Sequence, residues 1–117
     1  PRSTGIKGQH CQPLSLGGDR LLAIYPCRQD PPGIKLSISE DFGETWDNDR
    51  ELLVYDSSAG PESGAASSRN KADLWGDMDR WSFGHPRMVL LPDNEVFIVY
   101  YAGHNSVTTA CWARVKI

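Results

Sequence analysis

The sequence predicts an all-β protein, and three observations support this prediction. Seven short segments are rich in Val, Ile, Leu and Tyr and are bounded by Gly, Pro, Asp or Asn. No segment shows a helical period of apolar residues. Runs such as LLAIY and VFIVYYA are apolar without alternation, which is typical of strands that are covered on both faces. We therefore expect antiparallel sheets that stack on one another.

The predicted strands fall into two groups along the chain. The first group is CQPLSL, RLLAIYPC, GIKLSIS and ELLVY, and the second is PRMVLLP, EVFIVYYA and VTTACWARVKI. The turn-forming residues Gly17–Gly18–Asp19 join the first two strands, and Pro92–Asp93–Asn94 join the corresponding strands of the second group. Each group is therefore predicted to be a meander, and the second group stops after its third strand.

The two groups also repeat each other in sequence. Tyr25 and Tyr100 lie 75 positions apart, and at this offset GGDRLLAIY falls on PDNEVFIVY and IKLSIS falls on TACWAR. Upstream, HCQPLSL corresponds to the region of GHPRMVL, and a slip of two residues from this offset sets Leu14 opposite Arg87. Repeated four-stranded antiparallel units that cover each other's faces are typical of β-propeller blades. The alternative is a seven-stranded two-sheet sandwich, which needs no internal repeat.

Composition narrows the classes of function. Hydrophobic residues make up 39% of the 117 residues and the net charge is −3, so nucleic acid and anionic membrane surfaces are not expected partners. No apolar run approaches the roughly 20 residues that span a bilayer. The cysteines Cys11, Cys27 and Cys111 each lie in an apolar run and are predicted to be buried free thiols. Their spacing from the histidines is not that of a zinc site, and we expect no metal or other cofactor.

We expect one domain or a piece of one, with a blade unit at residues 9–56, a loop at 57–82 and a second unit at 83–117. Two blades alone would expose two apolar faces, which a soluble monomer does not tolerate. The chain, which lacks an initiator Met, is therefore expected to be a fragment of a longer propeller or a homo-oligomer, most simply a trimer that completes six blades. The missing strand of the second unit would come from residues 1–8 or from a neighbour.

The loop SEDFGETW between the third and fourth predicted strands is rich in residues that close turns. Asp41 is predicted to accept hydrogen bonds from backbone amides of its own turn, and Gly43 to supply a positive φ. Ser39 and Thr45 can add side-chain hydrogen bonds to the same turn. Trp46 is predicted to point back between the sheets as an apolar plug, with its indole N–H seeking a partner. These five residues are predicted to have a structural role.

The S-x-D-x-G-x-T-W pattern of this loop resembles the Asp-box of the sialidase superfamily. The order of the surrounding strands resembles the last two blades of a six-bladed, non-viral sialidase-like propeller, and this resemblance covers nearly the whole chain. It implies a protein that binds or hydrolyses glycans, such as terminal acidic sugars, in the manner of an exo-sialidase. The resemblance leaves two alternatives open: a non-catalytic lectin-like module, and a propeller with a structural or protein-interaction role.

The resemblance also implies where a site would lie, namely at the end of the sheets where loops enter each first strand and join second to third strands. The candidate catalytic residues there are His85, Asp77 and Asp79, and the candidate substrate-binding residues are Arg87, Arg28, His10, Arg80, Trp75 and Trp81. Histidine can act as a general acid or base, and arginine binds carboxylates in a bidentate way. The alternative is structural: the tryptophans cover a seam between sheets and the arginines pair with nearby aspartates.

Overall fold

Seven β-strands in two antiparallel sheets make up the architecture. The computed structural model describes residues 1–29, 31–58, 82–104 and 107–117. Its strands are β1 (Gln12–Gly17), β2 (Arg20–Cys27), β3 (Gly33–Ser39), β4 (Leu52–Asp56), β5 (Ser82–Leu91), β6 (Glu95–His104) and β7 (Val107–Lys116). The first sheet has the order β1-β2-β3-β4 and the second has the order β5-β6-β7. The prediction of an all-β chain with two meanders is confirmed, and the described strands do not close into a barrel.

Tight turns join the first two strands of each sheet. Gly17 and Gly18 adopt positive φ angles between β1 and β2. A single 3-10 turn, Pro92–Asn94, joins β5 to β6, and within it Asp93 and Asn94 also have positive φ. These residue types tolerate left-handed backbone better than others do, so the predicted turns form in both units. In the described part of the chain no helix is long and apolar enough to cross a membrane.

The core lies between the two sheets, which pack face to face. Its buried side chains come from β2 and β3 on one side and from β5 and β6 on the other; they are Leu22, Ile24, Ile34, Leu36, Phe83, Met88, Val96, Ile98, Tyr100 and Ala102. Tyr55 of β4 packs at the same seam, with its ring 5.8 Å from that of Phe83 and 5.5 Å from that of Tyr100. Burial of each large apolar side chain favours folding by about 1.5 to 3 kcal/mol, so each sheet depends on the other.

Strand register corrects the alignment of the two units at the third strand. Ile24 pairs with Leu36 in the first sheet, and Val99 pairs with Trp112 in the second. Because Ile24 and Val99 correspond at the offset of 75, Trp112 corresponds to Leu36 and not to Ser37. The predicted match of IKLSIS with TACWAR is therefore wrong by one residue. A slip of one residue in a strand moves every side chain to the opposite face.

Register also corrects the first strand. Gln12 pairs with Ile24 and Arg87 pairs with Val99, so Arg87 corresponds to Gln12. The prediction that Leu14 stands opposite Arg87 is wrong, because no slip of two residues is needed. Instead, the register of β5 against β6 shifts between Gly84 and Arg87, as in a β-bulge.

Residues 1–9 lie against the outer face of the first sheet, the face that points away from the second sheet. The backbone N–H of Gln9 donates to the carbonyl oxygen of Pro26 at 3.0 Å, and Asn48 Nδ2 donates to the carbonyl oxygen of Thr4 at 3.4 Å. Gly8 lies so close to Tyr25 that an added Cβ would be 2.4 Å from its ring. The expectation that residues 1–8 complete the second sheet is therefore wrong for this structure.

The three cysteines are free thiols with different exposure. Cys27 is buried on β2 and Cys111 is partly buried on β7, whereas Cys11 is exposed. The prediction of burial is therefore wrong for Cys11. This residue precedes β1, so it is not held in a strand that the other sheet covers.

Candidate functional site

One end of the two sheets collects several of the predicted site residues. β1 and β5 begin at this end and β2 ends there, because neighbouring strands run antiparallel. His10 precedes β1, Arg28 follows β2, and His85 lies near the start of β5. The three predicted residues therefore come from the same end of the molecule, although they are far apart in sequence.

Two histidines and a tyrosine contact each other at this end, and we call them the histidine cluster. The ring centroids of His10 and His85 are 5.3 Å apart, with the planes tilted by 31°. The ring of Tyr101 lies on the other side of His85, at 5.6 Å and 35°. Both histidines are exposed and Tyr101 is half-buried. The first sheet supplies one member and the second sheet supplies two, so the cluster exists only when the sheets are packed.

The backbone at both histidines is in the left-handed region. His10 has φ of 50° and His85 has φ of 44°, and this conformation costs an L-residue with a Cβ about 1 to 2 kcal/mol. The two residues lie 75 positions apart, at corresponding places in the two units. Strained backbone of this kind concentrates at functional sites, and its recurrence here turns both imidazoles towards the same space.

Gly84 makes room for the tyrosine of the cluster. It pairs with Tyr101 across β5 and β6, and a Cβ added at Gly84 would lie 3.0 Å from the Tyr101 hydroxyl oxygen. A side chain at this position would force the phenol ring to move by a few tenths of an ångström. The candidate catalytic and substrate-binding residues predicted from the sequence do not include Tyr101, because its pairing with Gly84 is visible only in the strand register.

Arg28 contacts an aromatic ring at the same end of the sheets. Its guanidinium carbon lies 5.3 Å from the centroid of Phe83, a buried residue two positions before His85. A guanidinium over an aromatic face is stabilised by a cation–π interaction. Because Arg28 remains exposed, it presents a positive charge at the same end of the sheets as the histidine cluster.

Arg87 lies on β5, two residues after His85, and its predicted role as a substrate-binding residue stays a prediction. It is exposed and pairs with Val99, on the side of the second sheet that points away from the core, since the adjacent Met88 is buried in the core. The predicted residues Asp77, Asp79, Arg80, Trp75 and Trp81 lie outside the described residues.

The turn after β3 has the hydrogen bonds that the sequence predicts for it. Asp41 Oδ1 accepts from the backbone N–H of Thr45 at 2.8 Å, and Asp41 Oδ2 accepts from Thr45 Oγ1 at 2.5 Å. Ser39 Oγ donates to Asp41 Oδ1 and accepts from the N–H of Gly43, each at 2.8 Å. Gly43 has φ of 88°. The hydrogen bonds from Thr45, and then that from Ser39, lower the pKa of Asp41 below its ordinary value.

Trp46 next to this turn is only partly buried. Its ring approaches Gly43, where a Cβ would lie 3.8 Å from it. The indole N–H is buried and has no hydrogen-bond partner among the described residues. The predicted plug is therefore incomplete, and it lies at the end of β3 opposite to the histidine cluster.

Sequence reasoning missed a polar cluster on the outer face of the first sheet. The Tyr25 hydroxyl donates to the Glu51 carboxylate, and Lys35 Nζ lies 3.1 Å from the other carboxylate oxygen. Burial, and then the hydrogen bond to Glu51, raises the pKa of Tyr25 far above its ordinary value, which keeps the phenol protonated. A cavity of about 280 Å³ adjoins this cluster, with Lys7 and Asn48 also in its lining. The sequence feature that indicates this polar cluster is Lys35, a lysine inside the apolar run GIKLSIS.

Comparison with known proteins gives no match: no protein-family model, no curated protein and no solved structure matches the chain. No group of three or more His, Cys, Asp or Glu side chains in the described part of the chain is arranged to hold a metal ion. The chemical groups of the candidate site are therefore the imidazoles of His10 and His85, the Tyr101 phenol and the Arg28 guanidinium. They offer hydrogen-bond donors and acceptors, aromatic ring faces and one permanent positive charge.

Proposed function

We propose that this chain is a segment of a sialidase-like β-propeller and that it binds glycans at the histidine cluster and Arg28. The observation that carries the glycan site is the convergence of His10, His85 and Tyr101 from two sheets, with strained backbone at both histidines. Support for the propeller comes from two meanders that repeat in sequence and pack face to face. The hydrogen-bonded turn around Asp41 fits the Asp-box resemblance.

The chemistry of the cluster suits a sugar. Hydroxyl groups of a sugar can donate to and accept from imidazole nitrogens and a phenol oxygen. Aromatic rings cover the apolar C–H faces of a sugar ring. Arg28 can bind a carboxylate with two parallel hydrogen bonds, so the preferred ligand is an acidic sugar such as sialic acid. In an exo-glycosidase of this type His85 would be the general acid or base.

Calorimetric titration with sialic acid and with the neutral sugar N-acetylglucosamine tests the proposal. Wild type should bind sialic acid more tightly, and Arg28→Ala should remove this preference while leaving weak binding of both sugars. Arg28→Lys should not restore the preference, because lysine lacks the planar fork. His10→Ala should weaken the binding of both sugars, and Lys116→Ala at the far end of β7 should weaken neither. Equal affinity of wild type for the two sugars would refute the acidic-sugar site.

Two outcomes separate the related functions. Release of the reporter group from a chromogenic sialoside, lost in His85→Ala, would assign a glycoside hydrolase. Binding without turnover would assign the lectin-like module. Absence of any sugar binding would favour the structural or protein-interaction propeller, for which the exposed apolar side of the second sheet is a specific indication.

A further inference from the structure

The second sheet exposes an apolar surface on the side away from the core. We call this surface, formed by Val89, Phe97, Val99 and Trp112, the exposed face of the second sheet. Trp112 is 65% exposed, Val89 53% and Val99 40%. The rings of Phe97 and Trp112 stack with their centroids 5.8 Å apart. Register places the four residues together, since Val89 pairs with Phe97, and Val99 pairs with Trp112.

The corresponding residues of the first sheet form the contact between the two sheets. Leu14 pairs with Leu22 as Val89 pairs with Phe97, and Ile24 pairs with Leu36 as Val99 pairs with Trp112. Leu22, Ile24 and Leu36 are buried in the core against the second sheet, and Leu14 packs against the same core. The exposed face of the second sheet therefore repeats, position by position, the face with which the first sheet contacts its neighbour.

The correspondence extends to a polar side chain. Gln12 reaches from β1 to the edge of β5, where its Oε1 accepts from the backbone N–H of Met88 at 2.7 Å and its Nε2 donates to the Met88 carbonyl oxygen at 3.4 Å. Arg87 occupies the place of Gln12 in the second sheet. It therefore stands where a long donor side chain can reach the backbone of a third sheet.

The face of the second sheet that contacts the first sheet also has a counterpart in the first sheet. Ile98 and Tyr100 of the second sheet face the first sheet, and they correspond to Ala23 and Tyr25 at the offset of 75. Ala23 and Tyr25 point to the outer face of the first sheet, since they alternate with the core residues Leu22 and Ile24. In one copy of the chain, residues 1–9 cover this outer face.

We propose that the exposed face of the second sheet binds the outer face of the first sheet of a second copy of this chain. This contact repeats the packing within one copy except at Lys35, which stands where the second sheet has Cys111. Arg87 hydrogen-bonds the backbone of the incoming β1 as Gln12 does that of β5. Residues 1–9 of the incoming copy must move away from Tyr25, so this segment competes with association. The proposal does not rest on glycan binding at the histidine cluster, although Tyr101 of that cluster lies on the same side of β6 as Val99.

Sedimentation analysis of the full chain over about three decades of concentration tests the contact. We expect wild type to associate reversibly, and Trp112→Lys or Val99→Lys to raise the dissociation constant at least about tenfold. Val107→Lys is the matched control, because Val107 is also exposed on β7 but alternates to the opposite side from Trp112. Arg87→Leu should weaken association by a smaller factor. Circular dichroism confirms that each variant is folded.

Gly8→Val tests which face the second copy offers. A Cβ at Gly8 would lie 2.4 Å from the Tyr25 ring, so the substitution lifts residues 1–9 off the first sheet and should tighten association about tenfold. Association that Gly8→Val leaves unchanged would mean that two exposed faces pair with each other, and it would overturn the proposed partner face. Monomers at every concentration for wild type and Gly8→Val, or equal association of wild type and Trp112→Lys, would overturn the proposal altogether.

Discussion

His10 and His85 both have left-handed backbone, a conformation that few residues with a Cβ adopt, although histidine adopts it more often than most. Histidine has a Cβ that crowds the backbone at positive φ, yet both residues adopt this conformation at corresponding positions. Glycine would remove the crowding at no steric cost. Stability alone therefore does not explain the choice of histidine, and the proposed glycan-binding role of the imidazole rings offers a reason for it.

His85→Gly should leave stability unchanged or raise it by up to about 1 kcal/mol, because release of left-handed strain offsets the lost ring contacts. His85→Ala is the matched variant, since alanine loses the same ring and keeps the strain. Urea denaturation should rank the glycine variant above the alanine variant. The opposite order would show that the backbone at this position is not strained.

Asp41 should make stability depend on pH in the acid range. Its pKa in the folded state is lowered from the ordinary 3.8 by the hydrogen bonds from Thr45 and Ser39. The contribution of the Asp41 carboxylate to the free energy of unfolding is therefore complete above the unfolded-state pKa. It is lost as pH falls through the lower folded-state pKa. We expect the urea midpoint of wild type to fall more steeply between about pH 5 and pH 2 than that of Asp41→Asn. Asp19→Asn, at an exposed turn residue, should retain the slope of wild type.

At the scale of the strands, Gln12 joins two sheets that share no backbone hydrogen-bond ladder. β5 is an edge strand of the second sheet, so its outward backbone groups need partners. The Gln12 amide gives one acceptor and one donor to Met88, as a residue of a neighbouring strand would. The side chain of Gln12 thus makes the hydrogen bonds that the backbone of a neighbouring strand would make at this edge.

Gln12→Leu should destabilise the protein by about 1 to 3 kcal/mol, because it removes two hydrogen bonds and leaves backbone groups of Met88 without partners. Gln29→Leu, at an exposed glutamine in the loop after β2, is the matched control and should change stability by less than about 0.5 kcal/mol. Urea or thermal denaturation measures both. Equal effects of the two substitutions would show that the hydrogen bonds of Gln12 do not stabilise the contact between the sheets.

The sequence predicts the elements better than it predicts their register. Apolar runs and turn residues locate the strands because these signals are local. The pairing of Trp112 with Val99 depends on the length of a loop, and the place of Arg87 depends on a bulge, neither of which alters the apolar pattern. His10 and His85 could be predicted for the site from their position before a first strand. The contact between their rings could not be predicted, because it requires two sheets to meet.

At the scale of the whole molecule, the two sheets bury one common core, so neither can lose its partner and keep its apolar face covered. We expect a single cooperative unfolding transition. Leu22→Ala, in the first sheet, should cost about 2 to 5 kcal/mol. The substitution should lower the unfolding midpoint measured by circular dichroism. It should also speed the labelling of the buried Cys27 thiol, and the loss of unfolding free energy calculated from the two measurements should be equal. Cys27 labelling that precedes the change in circular dichroism would show that the first sheet opens alone or that residues 1–9, which cover Cys27, are released first.

The packing of the first sheet on the second also gives a stack of such sheets a polarity. Each sheet meets its two neighbours with different faces, so sheets added by this contact all point the same way. Such a stack ends only when it bends into a closed ring or when its terminal faces are capped, as the end repeats of solenoid proteins are. Residues 1–9 are a polar cap of this kind at one end of the stack; they include Arg2, Ser3, Thr4, Lys7 and Gln9. At the other end Phe97 and Trp112 are uncapped, so another sheet can be added there.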